Sequence, residues 1–192
     1  MRNIRIEASA CLWWAALLLI LPLRWLIAAV IAAVFHEFCH YLAIRAVCGD
    51  VKGMVIRHTG ASMDTTPLES WQELICALAG PVGSLILILF ARLIPITALC
   101  ALVQSAFNLL PIFPLDGGRV LQCTVRILWP HKNADKLIRW ISSLCTTMLS
   151  IFVLLMMWRF SFGFGILLPL MFLILRSFSG KRPCKTARLA LQ

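Results

Sequence analysis

The sequence predicts an all-α, polytopic membrane protein with six transmembrane helices. The fourth helix is expected to be broken and partly re-entrant, and a short membrane-associated β-hairpin is expected beside the second. Three observations carry this reading. Of 192 residues, 61% are hydrophobic, and the mean hydropathy is +0.90; an average soluble domain is roughly 45–50% apolar. Charge-free runs approaching or reaching bilayer length recur along the chain. One of them is interrupted by Pro111 and Pro114 and followed by Gly117 and Gly118. Broken backbone at membrane depth is tolerated only where protein buries it or it lines a watery cavity.

Met1–Glu7 carries Arg2 and Arg5, and Ala8–Leu23 is then free of charge throughout. This imitates a signal peptide. The apolar sequence resumes directly after Arg24, however, and cleavage near Ala28 would cut the next helix, so an uncleaved first span is expected. Pro22 and Arg24 turn the chain into a second helix, Trp25 to about Val47, which stops at Cys48-Gly49-Asp50. Val51–Ser70 is polar. In it, Met54-Val55-Ile56-Arg57 and Ala61-Ser62-Met63 flank Thr59-Gly60, the pattern of one or two short strands. Leu74–Ala91, also without charge, is the third helix, kinked at Gly80-Pro81. Ala77, Gly80 and Ser84 line one flank of it with small residues, which permits close helix approach; ordinary packing accounts for Gly80. Leu93–Leu115 is the longest of the charge-free runs. Its latter half cannot continue as helix, so it turns into a loop inside the protein, with a surface helix restarting at Arg119–Trp129. Residues 130–139 are polar, Trp140–Trp158 and Phe160–Leu175 are the fifth and sixth helices, and 176–192 is a basic tail.

Net charge is +10, from 18 basic and 8 acidic residues. Six spans place both termini on one side, and 15 of the 18 basic residues fall on that side, leaving Arg24, Arg92 and Arg159 opposite. The positive-inside rule then puts both termini in the cytosol of a multi-pass protein of the cell membrane. The basic residues edge the anionic leaflet and need no nucleic acid to explain them. Eight cysteines contain no C-x-x-C pair and mostly lie in apolar runs, which reads as buried small hydrophobes rather than a disulfide framework.

The second helix holds Phe35-His36-Glu37-Phe38-Cys39-His40-Tyr41, an H-E-x-x-H pattern inside an apolar run. On a helix His36 and His40 leave the same face one turn apart, so two neutral ring nitrogens can grip one cation. Glu37 is turned about 100° from His36, beside that cation, where a carboxylate can take a proton from water. Ionisable groups at membrane depth cost on the order of 2.5–3.5 kcal/mol for a charge, so they mark function rather than a solvated face. A catalytic zinc keeps one position open and needs three protein ligands. The best third ligand is Asp116, far downstream of His40 and on the broken segment; its competing role is an N-cap for the helix from Arg119. Asp64, Glu69 and Glu73 are rival carboxylates, Cys39 a rival thiolate, and His58 a lone loop histidine.

His36-Glu37-Phe38-Cys39-His40, followed by Asn108-x-x-Pro111-x-x-Pro114-Leu115-Asp116-Gly117, resembles the site-2 protease family of zinc intramembrane metalloproteases over about residues 25–120. The resemblance implies a three-helix metalloprotease core; composition and the charge-free runs set it in a single membrane-embedded domain, 1–192, with C-terminal helices at 140–175. His36, His40 and Asp116 would bind one Zn2+ per chain, Glu37 would be the base, and Asn108 would hold the substrate or the oxyanion. Family members commonly have Asn a few residues after the Gly-Pro, where this chain has Ser84. Neither a PDZ nor a CBS domain fits the chain. The compact form is most similar to the stage IV sporulation protein FB type, which implies a membrane-associated protein substrate such as a sporulation sigma-factor precursor, and a regulatory membrane protein as a further partner. An exposed strand within Val51–Met63 would pair with an unwound substrate, with Val55 and Ile56 among its ladder donors. The alternative is a non-proteolytic metal-binding membrane protein. A transporter would distribute ligands along a crossing path, and a scaffold would have no use for Glu37.

Overall fold

The computed structural model describes residues 4–7, 22–47, 49–57, 60–113, 115–129 and 134–160. Its centre is three helices joined by rows of small side chains. In α1 (Leu23–Ala46), every fourth residue from Ala28 to Ile44 is buried: Ala28, Ala32, His36, His40 and Ile44. Such rows are the ridges by which helices interdigitate. α2 (Ser70–Leu89) presents Cys76, Gly80 and Ser84 in the same spacing, and α3 (Pro95–Asn108) presents Thr97, Ala101 and Ser105. With few bulky groups in these rows the backbones approach closely. The three helices meet at Ala32, Leu87 and Ala101, with Phe35 and Cys100 packed around them. The Ser105 hydroxyl donates to the Pro81 carbonyl at 3.1 Å, tying α3 to the proline inside α2.

Helix α2 begins at Ser70, ahead of the expected Leu74. The Glu69 side chain accepts from the backbone of Gln72, and the Gln72 side chain accepts from the Glu69 N–H at 2.9 Å. This reciprocal cap satisfies otherwise orphaned first-turn donors, so polar residues open the helix before the apolar run starts. Helix α3 opens on Pro95, a residue preset for the first helical position. Its 14 residues rise about 21 Å, short of the ~30 Å hydrocarbon core.

After α3 the chain leaves regular structure, as its prolines require, and folds back on itself through tight turns. The Ile112 N–H donates to the Leu110 carbonyl at 2.7 Å, and the Leu115 N–H to the Ile112 carbonyl at 2.8 Å. Ile112 and Leu115 are anchored against Cys145 and Leu149 of α5 (Ala134–Phe160), and the Phe113 N–H donates to Ser142 Oγ at 2.9 Å. Helix α4 (Asp116–Leu128) then starts at Asp116, ahead of the expected Arg119. Gly117 makes this early start sterically feasible, because a Cβ there would run into the carbonyl oxygens of Leu109 and Leu110. Helix α5 starts ahead of the expected Trp140; its polar first turns are helical, and Ile138 within them is buried.

Among the described residues, three helices are long and apolar enough to cross a membrane: α1, α2 and the Lys136–Leu155 part of α5. The expected first span, Ala8–Leu23, lies outside the described residues except for Pro22 and for Leu23, which opens α1; the expected sixth span beyond Phe160 and the basic tail also lie outside them.

The polar segment after α1 forms β2 (Val51–Arg57) and β3 (Gly60–Thr65), an antiparallel pair running from Arg57↔Gly60 to Val51↔Thr65, irregular between Val51 and Gly53. A third strand, β1 (Ile4–Ile6), pairs in parallel with β2 through Ile4↔Met54, Arg5↔Val55 and Ile6↔Ile56. The sequence carries no strand signal there, because so short a segment shows no periodicity and the strand owes its existence to its partner. The order is β1-β2-β3, so Val55 and Ile56 lie in the middle strand and are spoken for on both sides. This corrects the expectation that they offer a free edge. Among the described residues, the free edge next to the hairpin belongs to β3.

Candidate metal centre

The site forms where the rows of α1 and α2 face each other and the start of α4 comes in from the broken segment. His36 is 1% exposed, His40 8% and Asp116 9%. His36 Nε2 lies 3.0 Å from Asp116 Oδ2, His40 Nε2 lies 3.2 Å from the same oxygen, and the two Nε2 atoms are 3.2 Å apart. The rings meet edge to face, with centroids 4.8 Å apart and planes at 83°. Asp116 is the first helical residue of α4 and its carboxylate meets the imidazoles, so the cap role is not the one it plays.

The outer nitrogens decide which atoms face inward. His40 Nδ1 is 2.6 Å from the Cys76 carbonyl oxygen, which can only accept, so Nδ1 carries the hydrogen. His36 Nδ1 is 3.0 Å from Ser84 Oγ, which is also 3.0 Å from the Gly80 carbonyl; with the hydroxyl proton on that carbonyl, His36 Nδ1 donates to Oγ. In neutral rings both Nε2 atoms are then lone pairs. Two lone pairs and a carboxylate oxygen converge within 3.2 Å of one another, an arrangement that calls for a cation, a proton or an N–H donor among them. Zinc at its usual ~2.0–2.1 Å from nitrogen or oxygen separates tetrahedral ligands by about 3.3 Å. The donor set and its spacing fit that ion, and three ligands leave a position for a reactant. Among the described residues His36, His40 and Asp116 form the one group of metal-ligating side chains that could share a cation.

Other candidates fall elsewhere. Asn108, at the last turn of α3, brings Nδ2 within 3.2 Å of His36 Nε2, so the amide belongs to the site. Glu37 follows His36 on α1 and is half-buried. Glu69 caps α2 and accepts from Trp71 Nε1 at 2.6 Å. Glu73 pairs with Arg119 at 3.4 Å, clamping the first turn of α4 to α2. Cys39 is outside the converging group and packs against Gly83. Burial, with Glu73 nearby, pushes the Cys123 thiol up to about 12, which keeps it neutral. Asp64 lies on β3, and His58 lies outside the described residues.

Two features carry no strong sequence signal. One is the Cys76 carbonyl, since a backbone acceptor has no residue type. The other is Gly80. Assigned to ordinary packing on sequence, it lies directly against the His40 ring, where a Cβ would also be 2.8 Å from His36 Cε1. A Gly-Pro facing a two-histidine helix is the signal that could have found it.

The fold is that of a site-2 protease: the chain superposes on the site-2 protease of Methanocaldococcus jannaschii with a TM-score of 0.66 and 21% identity, covering 95% of this chain and 92% of that one. In sequence it is 33% identical over 123 residues to a Synechocystis sp. protein bearing a provisional zinc metalloprotease name, covering 56% of this chain and 32% of that protein. It is 25% identical over 142 residues to a zinc metalloprotease of M. jannaschii, covering 66% of this chain and 39% of that protein. The chain thus spans between about a third and two fifths of the length of these relatives. No family model matches it.

Proposed function

We propose that this protein is a zinc-dependent intramembrane endopeptidase that hydrolyses a peptide bond in or near a membrane-associated segment of a substrate protein. The observation that carries the reading is the convergence of His36 Nε2, His40 Nε2 and Asp116 Oδ2 within 3.2 Å, with both histidines tied by their outer nitrogens. The relatives' names and the shared fold point the same way. One zinc held by these residues supplies a Lewis acid for the scissile carbonyl and acidifies water. Glu37, one residue beyond His36, accepts the proton of the attacking water and passes it to the leaving amine. Asn108, whose amide reaches the same face of His36, orients the substrate carbonyl and stabilises the oxyanion.

A helical substrate hides its peptide bonds, so it must be extended before attack. The outer edge of β3, an edge strand of the sheet, takes the unwound segment by strand addition. The resemblance to the stage IV sporulation protein FB type makes a membrane-associated sigma-factor precursor the substrate of choice and a membrane protein its regulator. The distribution of basic residues supports cytosolic termini in the cell membrane. The pairing of residues 4–6 with β2, just past the end of α1, supports placing both on one face of the bilayer.

The test is zinc content together with cleavage of a model transmembrane substrate in lipid. The wild type should hold one zinc per chain and cleave. Glu37→Gln should keep zinc and cleave about 10²–10⁴-fold more slowly, the usual worth of a general base. Undiminished cleavage by Glu37→Gln would overturn the assignment.

A further inference from the structure

The two imidazoles are tethered by different means. His40 leans on a main-chain carbonyl that any residue at position 76 would supply. His36 leans on the side chain of Ser84. We propose that Ser84 is a positioning residue of the metal centre: its hydroxyl holds the Nδ1–H of His36, fixes the ring in the tautomer that presents Nε2 inward, and thereby sets zinc affinity. The inference rests on the reading that His36, His40 and Asp116 hold zinc.

The argument is one of hydrogen-bond inventory. Ser84 is 0% exposed, so water does not compete for its hydroxyl. Its single proton is committed to the Gly80 carbonyl at 3.0 Å, one turn back along α2. With the proton there, the oxygen accepts the Nδ1–H of His36 across the 3.0 Å contact, and this is the tautomer that leaves Nε2 free for a metal. A serine oxygen extends one bond beyond Cβ, and this short reach suffices because α1 and α2 come together at Gly80 without a side chain between them. Removing the hydroxyl would strand a buried N–H at His36, at a cost the ring escapes by turning or by moving its proton to Nε2. Either escape withdraws the inward lone pair. A partner on the far nitrogen of a ligating histidine is commonly worth about 10–100-fold in metal affinity.

The experiment uses the full chain in lipid or detergent, with zinc affinity measured by chelator competition and imidazole tautomers by 15N NMR of the metal-free protein. Ser84→Ala should bind zinc about 10–100-fold more weakly and show His36 with its proton shifted towards Nε2. Ser84→Thr, whose Oγ1 can take the same helical rotamer over the Gly80 carbonyl, should restore both. Ser84→Cys fills the volume with a weak acceptor and gives the same reading should the alanine variant fail to fold. Wild-type affinity and an unchanged tautomer in Ser84→Ala or Ser84→Cys overturn the proposal. Zinc binding in the wild type that His36→Ala does not diminish would instead strike at the metal assignment beneath it.

Discussion

Gly80→Ala adds one methyl group at the tightest point between α1 and α2, and its consequence can be worked from the geometry. The new Cβ would lie 2.6 Å from His40 Cε1 and 2.8 Å from His36 Cε1, where ordinary contact begins at 3.4 Å. His40 Nε2 lies nearer still, so the His40 ring must yield by more than 0.8 Å and the His36 ring by about 0.6 Å. If the helices separate instead, overpacking costs about 1–3 kcal/mol, and the 2.6 and 3.0 Å tethers to Cys76 and Ser84 lengthen. Metal–ligand distances tolerate only about 0.2 Å, whereas a fold absorbs a few kcal/mol. Zinc should go first. Gly80→Ala is expected to remain helical by circular dichroism while zinc affinity, measured by chelator competition, falls by about 10–100-fold, the scale of disturbing the groups that orient metal ligands. Gly83→Ala is the contrast: its Cβ presses on the Cys39 side chain and not on an imidazole, so it should strain the packing and keep zinc. A folded Gly80→Ala protein with wild-type zinc affinity would refute this reasoning.

Two further expectations concern the neighbours of the site. Asp116→Ala should release zinc, whereas Glu73→Ala should keep it and lose about 1 kcal/mol or less, since the 3.4 Å pair with Arg119 is partly exposed and screened; equal zinc occupancy in the two variants would remove Asp116 from the ligand set. Arg57↔Gly60 is the last pair of the ladder; taken as a hydrogen-bonded pair, it makes such pairs alternate from there, so the N–H groups of Ala61 and Met63 point away from β2. Ala61→Pro or Met63→Pro should leave the hairpin paired and zinc bound but slow cleavage of the transmembrane substrate, and unchanged turnover in both would exclude strand addition at β3.

The parts of the fold legible in the sequence are those written in residue type at short range. The apolar run around His36, the break after Asn108 and the hairpin around Thr59-Gly60 each rest on local periodicity or on proline and glycine, and each is present. Element starts were less legible for one shared reason. A search for charge-free runs discards polar first turns, yet helices begin with them: Glu69 and Gln72 cap α2, Asp116 opens α4, and α5 starts at Ala134 ahead of Lys136. Strand β1 was illegible because nothing within Ile4–Ile6 requires a strand; its partners Met54 to Ile56, beyond the whole of α1, require it.

The site shows the same division between residue type and pairing. His36, His40 and Asp116 are chemically conspicuous, and helical spacing joins the first two, but the long stretch of chain between His40 and Asp116 is bridged only by the tertiary fold. Position 84 shows what a residue-type reading misses. Asked which large polar group a family pattern requires, serine looks like a loss. Asked which acceptor can reach His36 Nδ1 across two helices that touch at a glycine, it is a side chain of the right length, already oriented by its bond to the Gly80 carbonyl. Gly80 and Ser84 therefore depend on each other: the glycine brings the helices within a hydroxyl's reach, and the hydroxyl makes that closeness useful to the histidine. Widening the gap with Gly80→Ala should consequently reduce the benefit of the Ser84 hydroxyl, so the two substitutions should combine to less than the sum of their separate effects on zinc affinity.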